Sequence, residues 1–431
     1  MKLSAASRKQ RPPYRQALTA RSDVASIHYN LGHLAQVREH LAEAVTCYRT
    51  TLELDPDHMP AMFNLGNALR SMGKPEEAEA AYRRLLARDP LPDDPEFFKA
   101  PSNLGQVLCE QNRYAEAEMA FRQALALKPD SAVDFASLGR VLMHQKNPSA
   151  AEEAYRQALN LEPTLLDAST GLAELHRQSS DTKQAAAVYS ELLKLVPDEP
   201  IAQHMLAALG GDDTPARASD HYVETVFDNF AESFDRVLTR LQYRAPDLLA
   251  WAVAETLTPD GQLDVLDAGC GTGLCHSWLR PYARRMVGVD LSAKMLEKAR
   301  RRGGYDELIK AELTTYLQNC SSSYDLIISA DTLVYFGALE AVISGAGNAL
   351  KPGGLLAFTL ERLDAAEHDG DFRLAPHGRY VHSGAYVEKI LADVGLQLRS
   401  MRTDVLRLEE GQPVPGWLVL AGASSTGNAP S

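Results

Sequence analysis

The sequence predicts a multidomain protein in which an all-α solenoid precedes an α/β domain with a Rossmann-like parallel sheet. Three observations support this prediction. A unit of about 34 residues recurs five times in the first half of the chain, the second half alternates apolar strand-like runs with amphipathic helices, and a glycine-rich loop follows the first of those strands. At 431 residues, the chain is long enough for two or three domains.

The repeats appear as aromatic, alanine and proline residues that keep a common phase. Aromatic residues follow one another at intervals of 34, 39, 34 and 34 residues, at Tyr48, Tyr82, Phe121, Tyr155 and Tyr189. An alanine stands four residues before each aromatic, a proline stands eight residues after it, and a Leu-Gly pair opens the first four units. The pattern resembles the tetratricopeptide repeat, a pair of antiparallel helices that approach closely at small residues. Stacked neighbours supply the core that one pair cannot form alone.

The repeat phase and the composition also predict where the domains begin and end. The expected segments are a flexible basic tail (1–22), the solenoid with five repeats and a capping helix (23–210), a flexible linker (211–219), a helical cover (220–262), the sheet domain (263–424) and a second flexible tail (425–431). An insertion near 91–95 lengthens one connecting loop. The resemblance implies that the solenoid groove binds a protein or peptide; a rigid spacer or a dimerisation surface is the alternative.

The glycine loop predicts a nucleotide-like ligand. It follows the apolar strand Val265 to Ala268 and places Gly269, Gly271 and Gly273 at alternate positions. Glycine permits a positive φ and a close approach of ligand to backbone, and a helix that starts after the loop directs free N–H groups into the same space. The spacing differs from the Gly-x-Gly-x-x-Gly fingerprint of dinucleotide-binding proteins.

Three later segments extend this pattern: a second strand that ends at Asp290, a fourth strand that ends near Asp331, and the turn Lys351-Pro352-Gly353-Gly354 before a fifth strand. Together with the glycine loop they resemble the class I S-adenosylmethionine-dependent methyltransferases, over roughly residues 220–424. The resemblance implies a seven-stranded methyltransferase domain, with 396–406 and 416–421 as its antiparallel edge, and S-adenosylmethionine as cofactor. A nicotinamide-binding Rossmann domain is the alternative.

The resemblance also implies which residues bind the cofactor. They are Asp267, Gly269, Cys270, Gly271 and Gly273 of the loop, Asp290 for the ribose hydroxyls, Leu291 and Met295 for the adenine ring, Glu312 for its amino group, and Phe230 of the helical cover. Asp267 is expected to hold loop amides or, through water, the methionine amino group. Helix capping is the alternative for Asp290, and simple packing onto the sheet is the alternative for the aromatic residues 227, 230 and 234.

Candidates for the acceptor side come from two segments. Asp331 and Tyr335, at the end of the fourth strand, are candidate catalytic residues, and a base is needed only if the acceptor is protonated. Arg379, Tyr380 and His382 form a candidate site for an acidic or polar acceptor; a charged surface loop with Ser383 as a helix cap is the alternative. The fourth strand lacks the Asn/Asp-Pro-Pro-aromatic turn of enzymes that methylate base amines or protein amides.

Composition restricts the class of partner. The formal charge of −13 disfavours a nucleic-acid partner, and the five scattered cysteines suggest neither a metal site nor disulfides. No apolar run approaches the roughly 18 residues of a membrane helix, and a cytoplasmic protein is expected. The predicted function is methyl transfer to a small molecule or a carrier- or protein-bound acceptor. The alternative is a scaffold whose methyltransferase domain binds cofactor without catalysis.

Overall fold

The computed structural model describes residues 25–88, 97–210, 214–364, 370–409 and 411–424. By their internal contacts, the residues divide into two compact units, Met1–Leu195 and Val196–Ser431. The predicted tails (1–22 and 425–431), the insertion near 91–95 and the first residues of the predicted linker (211–213) lie outside the described residues. No helix among the described residues is long and apolar enough to cross a membrane.

The first unit consists of helices that pack in consecutive pairs. They are α1 (Ala25–Val37), α2 (Leu41–Leu54), α3 (Met59–Ser71), α4 (Pro75–Leu86), α5 (Lys99–Glu110), α6 (Tyr114–Leu127), α7 (Ala132–His144), α8 (Pro148–Leu161), α9 (Leu166–Gln178) and α10 (Thr182–Leu195). One continuous apolar core runs through the stack, as expected when neighbouring repeats bury one another's faces.

A close contact between a glycine and an aromatic ring recurs in the first four repeats. A Cβ atom on Gly66 would lie 2.6 Å from the ring of Tyr82. The same contact, at 2.8 Å, would join Gly32 to Tyr48, Gly105 to Phe121, and Gly139 to Tyr155. The rings are buried, so a larger residue at the glycine position would force the paired helices apart. The prediction that the paired helices approach closely at small residues is confirmed.

The second unit begins with helices and continues as an α/β sheet. Its helices are α11 (Pro200–Ala208), α12 (Asp220–Phe230), α13 (Phe234–Arg240), α14 (Ala245–Ala254), α15 (His276–Leu279), α16 (Ala293–Arg302), α17 (Leu313–Gln318), α18 (Glu340–Ala349) and α19 (Gly384–Asp393). Its strands are β1 (Leu263–Ala268), β2 (Ala283–Asp290), β3 (Glu307–Lys310), β4 (Tyr324–Ser329), β5 (Leu350–Arg362), β6 (Phe372–Leu374), β7 (Tyr380–His382), β8 (Gln397–Glu409) and β9 (Gln412–Gly422).

The sheet has nine strands among the described residues, and the predicted seven lie in the order β3-β2-β1-β4-β5-β9-β8. Strands β1 to β5 pair in parallel, and β9 lies antiparallel between β5 and β8. Strand β8 therefore runs in the same direction as β5, and its last residues lie at the carboxyl edge of the sheet. A hairpin of β6 and β7, in a segment expected to be a loop, adds to the end of β5.

The segment that precedes the sheet domain, expected to be a capping helix and a flexible linker, makes contacts within the second unit. Helix α11 belongs to the second unit, where the His204 ring stacks on Tyr222 at 3.8 Å and its Nε2 atom lies 2.8 Å from the carbonyl oxygen of Gly378. The carbonyl of Ala216 accepts hydrogen bonds from the backbone N–H groups of residues 337 and 338, and Ala218 donates to the carbonyl of residue 335. These backbone bonds hold residues 214–219 in place.

Candidate active site

The glycine loop after β1 has positive φ at its three glycines, +80° at Gly269, +53° at Gly271 and +83° at Gly273. The first and second of them have different surroundings. A Cβ atom on Gly269 would lie 2.0 Å from Oγ1 of Thr332, whereas a Cβ atom on Gly271 would meet nothing nearer than the Phe234 ring at 3.9 Å. Gly269 is therefore required for packing, and Gly271 exposes its backbone to open space.

Strand β2 and Asp290 hold the loop in place. The N–H groups of Gly269 and Cys270 donate to the carbonyl of Val289 at 2.8 and 3.0 Å. Asp290 accepts from the N–H of Gly271 at Oδ2 and from the N–H of Ser292 at Oδ1, both at 2.8 Å. Burial raises the pKa of Asp290, and these N–H donors act against that effect.

No bond from a loop amide to Asp267 is found among the described residues, because β2 and Asp290 bind those amides; its contact through water with the methionine amino group stays a prediction. Its carboxylate is buried and accepts a hydrogen bond from the hydroxyl of Tyr305 at 2.6 Å. Burial raises the pKa of Asp267 to about 7, although the bond from Tyr305 lowers it. Ser292, rather than Asp290, caps α16, since its hydroxyl accepts from the N–H of Met295 at 3.1 Å.

A cavity of about 330 Å³ opens beside the loop at the carboxyl edge of the sheet. Nine of the predicted site residues line it: Gly269, Gly271, Asp290, Leu291, Glu312, Phe230, Asp331, Tyr335 and Arg379. The other six are not part of its wall: Asp267, Cys270, Gly273, Met295, Tyr380 and His382. The structure thus brings the cofactor candidates and the catalytic candidates to one cavity, as expected at the edge where parallel strands end.

The residues away from the cavity have structural contacts. Met295, on α16, is completely buried and does not line the cavity, so its contact with the adenine ring stays a prediction. Tyr380 donates to the carbonyl of Pro215 at 2.6 Å, and Nε2 of His382 lies 3.1 Å from the carbonyl of Gly337. Successive side chains of a strand point to opposite faces, so Tyr380 and His382 on β7 enter the core whereas Arg379, just before it, faces the cavity. Ser383 caps α19.

Glu312 lines the cavity and is also the N-cap of α17. Its carboxylate accepts from the N–H groups of Thr314 at 2.9 Å and Thr315 at 2.7 Å. Burial opposes ionisation, but these bonds lower the pKa of Glu312 below its ordinary value. The carboxylate is therefore charged at neutral pH, and its contact with the adenine amino group stays a prediction.

Helices α12 and α13 cover the cavity. Phe227, Phe230 and Phe234 line it, and Phe230 and Phe234 pack edge to face with ring centroids 5.3 Å apart. Carboxylates on the same two helices bind the core: Asp228 accepts from the Ser292 hydroxyl at 2.5 Å, and Asp235 accepts from the Thr272 hydroxyl at 2.5 Å. The aromatic residues thus form the cavity wall while neighbouring polar residues fasten the cover.

The end of the cavity away from Asp290 carries a charged cluster of five residues, namely Asp331, Glu361, Arg379, Arg407 and Glu409. Four of them line the cavity, and Glu361, 3% exposed, lies behind them. Arg407 donates to Asp331 at 2.5 Å, to Glu409 at 2.8 Å and also to Glu361. Arg379 donates to Glu409 at 2.6 Å and to Glu361 at 2.5 Å. Although burial opposes it, the two guanidinium groups hold the pKa of Glu409 at about 2.

Three members of this cluster, Glu361, Arg407 and Glu409, were not predicted from the sequence. Glu361 stands at the end of an apolar strand, β5, where a charged residue is a recognisable signal. Arg407 and Glu409 alternate at the end of β8, but only the direction of β8 relative to β5 brings them to the carboxyl edge. His377 was noticed only as part of a polar loop; its Nε2 atom lies 3.3 Å from Glu361.

Comparison with known families agrees with this geometry. Residues 266–358 match the family model described as methyltransferase domain, and residues 29–91, 64–132 and 142–209 match tetratricopeptide repeat models. The chain therefore joins tetratricopeptide repeats to a methyltransferase domain. Both predicted families are confirmed, and with them S-adenosylmethionine as the cofactor.

Curated relatives match parts of the chain. It is 30% identical over 201 residues to the biotin biosynthesis bifunctional protein BioHC of Saccharophagus degradans. That match covers 44% of this chain and 33% of the relative. It is 34% identical over 101 residues to the malonyl-[acyl-carrier protein] O-methyltransferase of Enterobacter lignolyticus, covering 23% and 40%, respectively. It is 34% identical over 98 residues to the trans-aconitate 2-methyltransferase of Paracidovorax citrulli, covering 22% and 38%. The chain thus spans 33% to 40% of the length of these relatives.

Solved structures similar to each half are also known. An S-adenosylmethionine-dependent methyltransferase from Mesorhizobium loti is 23% identical, with 40% of this chain and 97% of that chain covered and a TM-score of 0.34. YrrB, a tetratricopeptide repeat protein with a peptide-binding site, is 18% identical, with 44% and 96% covered and a TM-score of 0.38.

Proposed function

We propose that this protein is an active S-adenosylmethionine-dependent methyltransferase and that the reaction takes place in the cavity between the glycine loop and the charged cluster. The observation that supports this most directly is the continuity of one cavity from Gly271 and Asp290 to Tyr335 and Arg379. A scaffold that only bound the cofactor would need the end of the cavity at Gly271 and Asp290 but not the end at Tyr335 and Arg379.

The residues at the loop end fit the cofactor. Each carboxylate oxygen of Asp290 accepts one backbone N–H and keeps a second lone pair for a ribose hydroxyl. Hydrogen bonds to a charged group contribute roughly 1.5–3 kcal/mol each. A side chain at Gly271 would fill space beside the loop that the ligand needs. When bound, S-adenosylmethionine supplies an electrophilic methyl group on a positively charged sulfur atom.

The protein's own contribution to the transfer is alignment and exclusion of water. Phe227 and Tyr335 line the cavity with ring centroids 5.4 Å apart, next to the charged cluster. Burial raises the pKa of Asp331, but Arg407 already occupies one of its oxygens at 2.5 Å, whereas no hydrogen bond to the Tyr335 hydroxyl is found among the described residues. Tyr335 is the better placed of the two predicted catalytic residues to contact an acceptor.

We further propose that the repeat array binds a protein or a peptide. The methyl acceptor would then be attached to a carrier or another protein, or would be delivered by one. Two named relatives act on malonyl-[acyl-carrier protein] and trans-aconitate, a carrier-bound and a free acceptor. A solenoid of five repeats offers an extended surface of the kind that such proteins use for binding.

Calorimetry with S-adenosylhomocysteine tests the cofactor site. Asp290→Ala should weaken binding at least tenfold, because two hydrogen-bond acceptors are lost. Asp393→Ala, in an exposed ion pair with Lys389, is the matched control and should bind like the unmodified protein. Affinity for NAD that exceeds the affinity for S-adenosylhomocysteine, or unchanged binding by Asp290→Ala, contradicts the assignment.

Transfer of radiolabelled methyl groups into a lysate fractionated by size tests turnover. Label in the high-mass fraction indicates a protein or carrier acceptor, and label in the low-mass fraction indicates a metabolite. Tight binding of S-adenosylhomocysteine with no label transferred in any fraction would favour the scaffold alternative.

A further inference from the structure

The geometry points to an amine, rather than a carboxylate, as the methyl acceptor; this inference rests on the proposed methyltransferase function. It depends on the charge of the cavity wall at the acceptor end. The charged cluster holds the two arginines Arg379 and Arg407 and the three carboxylates of Asp331, Glu361 and Glu409. With all five ionised, the cluster has a net charge of −1, although each carboxylate is bound by at least one arginine.

The arginines of the cavity wall are already paired with carboxylates, so an anionic ligand would have to compete with those carboxylates for them. Arg407 is 5% exposed and uses Nε, Nη1 and Nη2 on three different carboxylates. Arg379 binds Glu361 and Glu409, as described above. The third arginine of the wall, Arg217, lies 2.5 Å from Asp220 and 4.0 Å from Glu312. Each arginine that lines the cavity therefore already has a carboxylate partner.

The open hydrogen-bonding capacity lies on the acidic side. Both arginines donate to the same oxygen of Glu409, Oε1, and no bond to Oε2 is found among the described residues. The Glu409 side chain is 33% exposed, against 3% for Glu361, so a ligand reaches Glu409 first. A carboxylate oxygen only accepts hydrogen bonds. The group that fits beside Glu409 is therefore an N–H or O–H donor that is neutral or positively charged, and a carboxylate acceptor is disfavoured.

The reaction itself favours the same class of acceptor. The lone pair of a neutral amine forms the new N–C bond, the C–S bond breaks, and its electron pair stays on sulfur, so the positive charge moves from sulfur to nitrogen. The protons on the neutral nitrogen stay there during the transfer; an amine that enters as an ammonium first loses one proton to water, because a protonated nitrogen has no lone pair. Glu409 belongs to a cluster with one more carboxylate than guanidinium groups, so it stabilises an ammonium that forms beside it and repels an acceptor that enters as a carboxylate.

Aromatic side chains at the same end support a cationic product. Phe227, Tyr335 and Tyr243 line the cavity together with the charged cluster. The faces of aromatic rings attract an alkylammonium ion, and the attraction grows when water is excluded. An anion gains nothing from these rings, which adds to the preference set by the charge.

Binding of matched ligands to the full chain tests this inference. With S-adenosylhomocysteine at saturation, calorimetry would compare 3-phenylpropylamine with 3-phenylpropionate, which share their ring and chain length. The amine should bind at least tenfold more tightly. Glu409→Gln should reduce that ratio at least fivefold while the affinity for S-adenosylhomocysteine stays within twofold. The control is Glu191→Gln, an exposed residue paired with Lys194 in the first unit, which should leave the ratio unchanged.

The chemistry of the labelled product gives a second readout. A methyl ester releases volatile methanol in alkali, whereas an N-methyl group survives alkali and stays on a cation-exchange resin. Label that is alkali-stable and retained on the resin supports the inference. The amine proposal is overturned if the label is volatile in alkali, or if the amine binds no more tightly than the carboxylate. If S-adenosylhomocysteine still binds tightly in that case, the proposed cofactor site stands. Failure to bind S-adenosylhomocysteine overturns both proposals.

Discussion

Replacing Gly269 and Gly271 by alanine, one at a time, should separate the packing role of the glycine loop from its ligand-binding role. Both residues have positive φ, where alanine costs roughly 1–2 kcal/mol relative to glycine. At Gly271 nothing lies within 3.9 Å of the added methyl group, so the cost to folding should end there. The methyl group would occupy the cavity, and we expect S-adenosylhomocysteine to bind at least tenfold more weakly.

At Gly269 the added methyl group would lie 2.0 Å from Oγ1 and 2.6 Å from Cβ of Thr332. Thr332 must move, and overpacking of this kind costs about 1–3 kcal/mol more. The free energy of unfolding should therefore fall by about 2–5 kcal/mol for Gly269→Ala and by about 1–2 kcal/mol for Gly271→Ala. The structure predicts a large loss of stability in one variant and a large loss of binding in the other.

Urea unfolding monitored by tryptophan fluorescence measures the free energy of unfolding of each variant. Trp251, Trp278 and Trp417 are the only tryptophans of the chain and all belong to the second unit, so the signal reports on the methyltransferase domain. Calorimetry measures the affinity of each variant for S-adenosylhomocysteine. Gly353→Ala is the control, because Gly353 has φ of +79° and nothing within 4 Å of the added Cβ.

Two results would refute this reasoning. If Gly271→Ala binds S-adenosylhomocysteine as well as the unmodified protein does, the ligand does not lie along the loop. If Gly269→Ala is no less stable than Gly353→Ala, the contact with Thr332 does not constrain the loop.

Three further predictions concern pH, the repeats and the cover. The pKa of Asp267 rises from an ordinary value of 3.8 to about 7 in the folded chain. Between about pH 4 and pH 7 the folded chain therefore binds more protons than the unfolded chain, and its stability should fall as the pH rises through this range. Asp267→Asn should flatten that part of the plot of urea midpoint against pH. Gly66→Ala would overpack against Tyr82, 2.6 Å away, and should lower the stability of the repeat array by about 1–3 kcal/mol, measured by far-ultraviolet circular dichroism. Asp228→Asn weakens the hydrogen bond from Ser292 that fastens the cover, and S-adenosylhomocysteine should dissociate severalfold faster in stopped-flow experiments; an unchanged rate would mean that the cover does not control release.

Local patterns in the sequence were enough to predict much of the fold. The first four repeats share the contact of a glycine with an aromatic ring, such as Gly66 with Tyr82, and five copies of the aromatic, alanine and proline pattern identify the solenoid. Positive φ at Gly269 and Gly271 follows from residues that lie next to each other in the chain. The parallel strands are apolar runs long enough to be recognised individually. These features depend on neighbours within a single supersecondary unit, and such neighbours can be read from a sequence.

The acceptor side depended on contacts between distant segments. Residues 379 and 380 are adjacent in the chain, yet only Arg379 faces the cavity, because the β6–β7 hairpin sets the orientation of the strand that follows. Asp331, Glu361 and Arg407 are brought together by the order and direction of β4, β5 and β8. The sequence alone determined the two families and the cofactor. The charge of the acceptor pocket was decided only by the tertiary structure, because it depends on which carboxylates and arginines neutralise one another across the sheet.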